Sequence, residues 1–285
     1  MELSRITKRI SVAFFVLGII LLAITSLSLI FSLTAVSPTL TTSNISEEQY
    51  SPDIATFRTL REFEDMVAIE IDAQGLSGIE IPILIDDYLR KKFYHGYSVK
   101  RWHDNWVLAF VNTMIPQYYL SGNMRQDDIF QYDYGICSQQ AIVFQVIVGD
   151  FGFDYGSVRF SAPDFGHFAS AVRVNGEWYY FDQNLEPEYD RTSSNIFDQI
   201  ILGNEQILTD MYGNHFDDIT DDMIELTDIN TFPASRGVLA QTVTYVLSWY
   251  GWAFLVFPSI AALLYRRRTQ QSGDAEPRDS NLPNL

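Results

Sequence analysis

Two long apolar runs bracket this chain. Ile10 to Val36 and Gly237 to Tyr265 hold no charged residue. At about 1.5 Å per helical residue, each is long enough to cross a bilayer core of roughly 30 Å. Tyr245, Trp249, Tyr250 and Trp252 in the second run suit a membrane interface. A cleaved signal peptide has an apolar region of about 7–15 residues, shorter than the first run.

Between the runs the pattern breaks into short periodic segments. Ser37 to Ser51 is rich in Ser, Thr and Pro and reads as a polar tether, with Asn44-Ile45-Ser46 matching the N-glycosylation pattern. Phe57, Leu60, Phe63, Val67 and Ile71 recur at three- and four-residue steps, which predicts one amphipathic helix over 54–73, broken by Gly75 and Gly78. A second helix is expected from near Pro82 to Tyr94. A third is expected from Val99 to Met114, where Trp102, Trp106 and Phe110 form an aromatic stripe that belongs in a core. Ser121 to Tyr134 is a polar loop. Ser138 to Val148 is helical in pattern, with Ala141, Phe144, Gln145 and Val148 along one side. Asn175-Gly176 between alternating apolar runs signals a hairpin with a two-residue type I′ turn. Residues 191–230 mix short apolar groups with acids and predict short helices and loops. The domain plan is a tail at 1–9, a span at 10–36, a linker at 37–53, one folded domain at 54–236, a second span at 237–265 and a tail at 266–285.

Charge orients this plan. Arg5, Lys8 and Arg9 precede the first span and Arg266, Arg267 and Arg268 follow the second. Basic residues favour the cytoplasmic side, so both termini are expected inside and the domain outside. Residues 37–242 hold 12 Lys and Arg against 32 Asp and Glu, a net −20 on a chain whose total is −17. Such a surface excludes nucleic acid, because phosphate binding needs a basic face. It suits solubility first, and cationic partners second.

Metal chemistry has little to stand on. His95 and His103, beside Asp104, are too far apart in sequence for a compact two-histidine site. Asp217, Asp218, Asp221, Asp222 and Glu225 could attract calcium, but they lack the spacing and central glycine of an EF-hand loop. No cofactor is expected.

One cysteine, Cys137, forbids an internal disulfide. It lies at the start of the helix that follows Gly135. Free N–H groups and the dipole at a helix N-terminus favour a thiolate and can hold an oxyanion. Pairing about the Asn175-Gly176 turn sets His167 opposite Asn184 and Ala169 opposite Asp182, all on one face. Asp182 is then the diagonal neighbour of His167, and Asn184 is the alternative partner. An imidazole oriented by either group is what a thiol nucleophile requires. Gln117, Gln131 and Tyr134 are candidate side-chain oxyanion donors.

These residues resemble the transglutaminase-like superfamily, whose core is similar to that of papain-type cysteine proteases. The likeness rests on Gly135-Ile136-Cys137, Gly166-His167 and Gly176-Glu177-Trp178 leading to Asp182, and spans about 50 residues. The family's Asp-Pro is replaced here by Asp182-Gln183-Asn184, with Pro187 further on. The resemblance implies an α+β fold in which the nucleophile helix packs on a small antiparallel sheet. It implies Cys137 as nucleophile, His167 as general base and acid, and Asp182 as its orienter. The activity implied is amide hydrolysis or acyl transfer on a protein or peptide substrate. A non-catalytic module of the same fold, binding peptides or an envelope partner, is the alternative.

Overall fold

The computed structural model describes residues 2–34, 49–115, 120–161, 166–185, 187–213 and 223–273, with side chains described from 6 to 268. In chain order the elements begin α1 (Glu2–Thr34), α2 (Pro52–Ala55), α3 (Leu60–Gln74), α4 (Glu80–Lys92), β1 (Tyr94–His95), α5 (Trp106–Met114), α6 (Gln126–Phe130) and β2 (Tyr134–Gly135). They continue with α7 (Cys137–Asp150), β3 (Asp154–Ser161), β4 (Gly166–Val174), β5 (Glu177–Phe181), α8 (Ser194–Ile201), α9 (Glu205–Tyr212), β6 (Ile224–Thr227) and α10 (Ser235–Gly273). The fold is mixed α+β, with one apolar helix at each end long enough to cross a membrane: Ile6–Thr34 and Ser235–Arg268.

The chain divides into two compact units, Met1–Ser37 with Arg101–Leu120 and Ala240–Leu285, and Pro38–Lys100 with Ser121–Leu239. Within the 54–236 range, residues 101–115 thus group with the two apolar helices.

In the helical unit α1 and α10 run antiparallel, joined by the Thr25 hydroxyl donating to the Ser248 carbonyl at 2.8 Å. The third helix is shorter than its pattern suggests. Asn105 caps it by accepting from the Leu108 N–H at 3.1 Å, so Val99 to Asp104 lie outside it. Ser248 anchors that start: its Oγ donates to Asn105 Oδ1 and accepts from the Val107 N–H, and its carbonyl accepts from Trp106 Nε1. The aromatic stripe is not core, since Trp102 is 46% and Phe110 63% exposed. Helix periodicity marks an apolar face, and in a unit of membrane-length helices such a face can remain on the outside.

The second unit holds a four-stranded antiparallel sheet in the order β5-β4-β3-β6. One face carries Val172, Val174 and Phe181 against α3, α4, α6 and α7. The other carries Val158, Phe160, Ala169, Ala171 and Tyr180 against α8 and α9. The hairpin register is as the turn predicts, from Val174↔Glu177 to Ser170↔Phe181. Asn175 and Gly176 both have positive φ, 54° and 93°, as a type I′ turn needs.

Local chemistry explains the departures from the apolar pattern. The helix expected over 54–73 is two helices, because Thr59 and Glu62 form a reciprocal capping box that starts α3. Gly75 ends α3 at φ 66°. The second helix stops at Lys92, and Tyr94 enters β1, which pairs in parallel with β2. β6 was not anticipated. Its four residues pair with β3 at the sheet edge, a contact that no local pattern encodes. The acids Asp217, Asp218, Asp221 and Asp222 lie outside the described residues, as does Gln117.

Candidate active site

α7 is buried on nearly every side, with every residue from Gln139 to Val148 buried except Val146. Phe144 packs on Phe181 with ring centroids 5.1 Å apart, and burying such a ring contributes about 1.5–3 kcal/mol. Polar bonds fix the helix on the sheet as well. Gln145 Nε2 donates to Ser170 Oγ at 3.1 Å, and Ser157 Oγ donates to Gln145 Oε1 at 3.2 Å. All three residues are fully buried, and Ser157 and Ser170 are register partners on β3 and β4.

The start of α7 is held by Gln139. Its Oε1 accepts from the N–H groups of Ile136 at 3.2 Å and Ser98 at 3.1 Å. Its Nε2 donates to the carbonyls of Ser98 at 2.7 Å and Asn123 at 3.0 Å. Four bonds from one buried amide tie two loops to the turn that presents Cys137. An isoleucine side chain has no acceptor, so the Gln139 carboxamide alone caps this end. Gln140 Nε2 adds a bond to the Gly135 carbonyl at 2.8 Å.

Cys137 is the first residue of α7 and is half-buried. The N–H groups of Gln139 and Gln140 bond back to the Ile136 carbonyl. Those of Cys137 and Ser138 come earlier in the turn, where a helix offers no internal acceptor.

His167 lies on β4 and is 4% exposed; Asp182 follows β5 by one residue and is fully buried. His167 Nε2 lies 2.6 Å from Asp182 Oδ2. Cys137 lies beside the same imidazole, close enough for its side chain to favour the protonated ring. Because Nε2 faces the carboxylate, Nδ1 is the nitrogen available to exchange a proton with sulfur. Cys137, His167 and Asp182 therefore meet at one point.

The side chain of Asn184 pairs with a different histidine. Its amide lies 3.0–3.2 Å from Nδ1 of His95. Its backbone N–H joins the site instead, donating to Asp182 Oδ1 at 3.0 Å, beside the Leu185 N–H at 3.3 Å.

Tyr212 completes the set, and nothing in the sequence marked it. Its hydroxyl donates to Asp182 Oδ2 at 2.7 Å, and Tyr180 donates in turn to the Tyr212 oxygen. The Asp182 carboxylate thus accepts from His167, Tyr212, Asn184 and Leu185, which saturates its lone pairs. Tyr212 sits at the end of an amphipathic helix, where its spacing reads as core, and its ring is indeed buried.

Electrostatics follow from this packing. Burial opposes the charge on His167. The Asp182 carboxylate, and after it Cys137, outweigh burial and push the imidazole up from 6.5 to about 10. Burial likewise opposes charge on Asp182, but His167, Tyr212 and the Asn184 N–H hold it below its ordinary 3.8. Burial raises Tyr180 and Tyr212 well above 10, so both remain neutral donors.

The loop after Asp182 is anchored from behind. Gln183 Nε2 donates to Asp86 Oδ1 at 3.1 Å, while Arg90 and Arg191 hold Oδ2 at 3.0 and 2.6 Å. No family model, no curated protein and no solved structure matches the chain. What the site can do is therefore read from its own geometry. Tyr134, one oxyanion candidate, is buried with its ring tilted against Tyr94 and edge-to-face with Tyr132. Gln131 is exposed. Among the described residues, no three His, Cys, Asp or Glu side chains gather as a metal site.

Proposed function

We propose that this protein is a membrane-anchored, thiol-dependent enzyme that attacks amides through Cys137, His167 and Asp182. The observation that carries the reading is the pairing of a buried imidazole with both a fully buried carboxylate and the chain's single thiol. As the thiolate of Cys137 attacks the amide carbonyl, the carbonyl π electrons move to oxygen. The N–H groups at the start of α7 receive that oxyanion. His167 then gives its proton to the leaving amine as the C–N bond breaks, which yields a thioester. Water attacks the thioester, with His167 taking its proton, and Cys137 is released with a carboxylic acid. An amine in place of water gives a new amide. Hydrolysis is the preferred outcome in an aqueous compartment.

The resemblance to transglutaminase-like and papain-type cores supports the same roles for these three residues. Basic residues at the outer ends of the apolar helices support a two-pass arrangement with both termini in the cytoplasm and the enzyme domain outside. Reporters fused to each terminus check this. Activity characteristic of the cytoplasm is expected at both, and an external signal at either refutes the orientation.

To test the activity, full-length protein in detergent is incubated with a peptide mixture, with and without a primary amine, and products are read by mass. New carboxyl termini or deamidated side chains indicate hydrolysis; amine adducts indicate transfer. Either must vanish in Cys137→Ala. Peptide retention without any product, equal in Cys137→Ala, would support the non-catalytic binding module instead.

A further inference from the structure

A cavity of about 430 Å³ opens between the two apolar helices at the end where both carry cations. α1 contributes Lys8 and Phe15; α10 contributes Ile260, Leu263 and Leu264 below Arg266 and Arg267. The pairing of the helices explains why these residues meet. Gly18 lies against Val256, so close that an added Cβ would come within 2.6 Å of the valine side chain. Ten residues further along each helix, in opposite directions, stand Lys8 and Arg266. The cavity is thus a product of the antiparallel register and not of either helix alone.

Its chemistry is divided by depth. From Lys8 to Phe15, and from Arg267 to Ile260, the separation is seven residues, roughly 10 Å along a helix. That distance covers a headgroup layer of about 5–8 Å per leaflet and enters the hydrocarbon. With the two helices spanning a bilayer, three cations stand at headgroup level over an apolar wall at chain level. No Asp or Glu occurs in Ile6–Thr34 or Ser235–Arg268.

We propose that this cavity binds an anionic phospholipid, its phosphate held by Lys8, Arg266 and Arg267 and an acyl chain lying on Phe15, Ile260, Leu263 and Leu264. Guanidinium groups grip phosphate oxygens in pairs, and basic pockets between membrane helices favour such headgroups. Charge alone would draw a diffuse layer of lipid. The apolar wall between the helices is what retains one molecule.

The test uses the full-length protein in detergent, with lipid retention read by native mass spectrometry. The probes are phosphatidylglycerol and phosphatidylcholine of identical chains, with inorganic phosphate as competitor. Wild-type protein is expected to retain phosphatidylglycerol about 100-fold better, since three basic residues act on the headgroup together. The triple change Lys8→Gln, Arg266→Gln and Arg267→Gln should abolish that preference. Lys8→Arg with Arg266→Lys and Arg267→Lys should keep it, which guards against a fold that simply fails. Leu263→Trp fills the cavity without altering charge and should also lose the lipid. Equal retention of the two lipids by wild type overturns the proposal. So does a preference that survives Leu263→Trp, which means charge without a pocket. Displacement by inorganic phosphate would show a free-anion site and overturn it too.

Discussion

Asp182 is the residue through which the site is held in one state. It is fully buried, accepts four hydrogen bonds and faces the imidazole at 2.6 Å. The charged pair has a defined pH range. His167 is raised in the folded protein, so its stabilising contribution is complete below 6.5 and is lost as pH rises through about 10. Asp182 is lowered, so its contribution is present above 3.8 and is lost as pH falls through its folded value. If catalysis uses the protonated imidazole, activity should decline on the alkaline side near pH 10. In Asp182→Asn that alkaline limb should move to lower pH, with activity reduced about 100-fold or more. Asn184→Ala should change activity far less and leave the limb in place. A larger loss for Asn184→Ala would reverse the roles of the two residues. The sequence made His167 and Asp182 legible as neighbours because strand alternation and an Asn-Gly turn fix parity. It left Asn184 open, because parity places a side chain on a face without saying which neighbour it turns to. His95, the residue it meets, comes from an element 89 positions away in sequence. Tyr212 was illegible for the same reason.

At the scale of elements, the position of Cys137 depends on Gln139. Apolar spacing identified α7 and its first residue, but not the amide that anchors it, since a glutamine in a helical run looks neutral. Gln139→Leu would leave the N–H groups of Ser98 and Ile136 and the carbonyls of Ser98 and Asn123 without this partner. Each buried group so stranded costs about 1–3 kcal/mol. The expected result is a clearly lowered melting temperature, together with slower reaction at Cys137. Gln131→Leu, at an exposed position, should show neither. Helix ends were the least legible feature of the chain. Thr59 and Asn105 start α3 and α5 by accepting a single backbone N–H each, and both signals were masked by apolar periodicity that continues upstream.

At the scale of the whole molecule, a strongly acidic domain lies between two membrane-length helices, and both features could be read directly from composition. What could not be read was that the α5 segment, Asn105 to Met114, groups with α1 and α10. Trp106 and Val107 bind Ser248, and Asn105 binds Gln241 and Thr244, all at separations beyond 130 residues. Such contacts have no local signature. The one free thiol of the chain lies in the other unit, beside a buried imidazole, and that placement is the centre of the account. It is tested most directly by the alkylation rate of the full-length protein with chloroacetamide at pH 6, followed by intact mass. At that pH an ordinary cysteine is under about 1% thiolate. The folded protein is expected to take one adduct, at Cys137, about 100-fold faster than the same chain unfolded in urea, with the advantage lost in His167→Ala. A folded protein that reacts no faster than the unfolded chain, or a rate unchanged in His167→Ala, would contradict a nucleophilic role for Cys137.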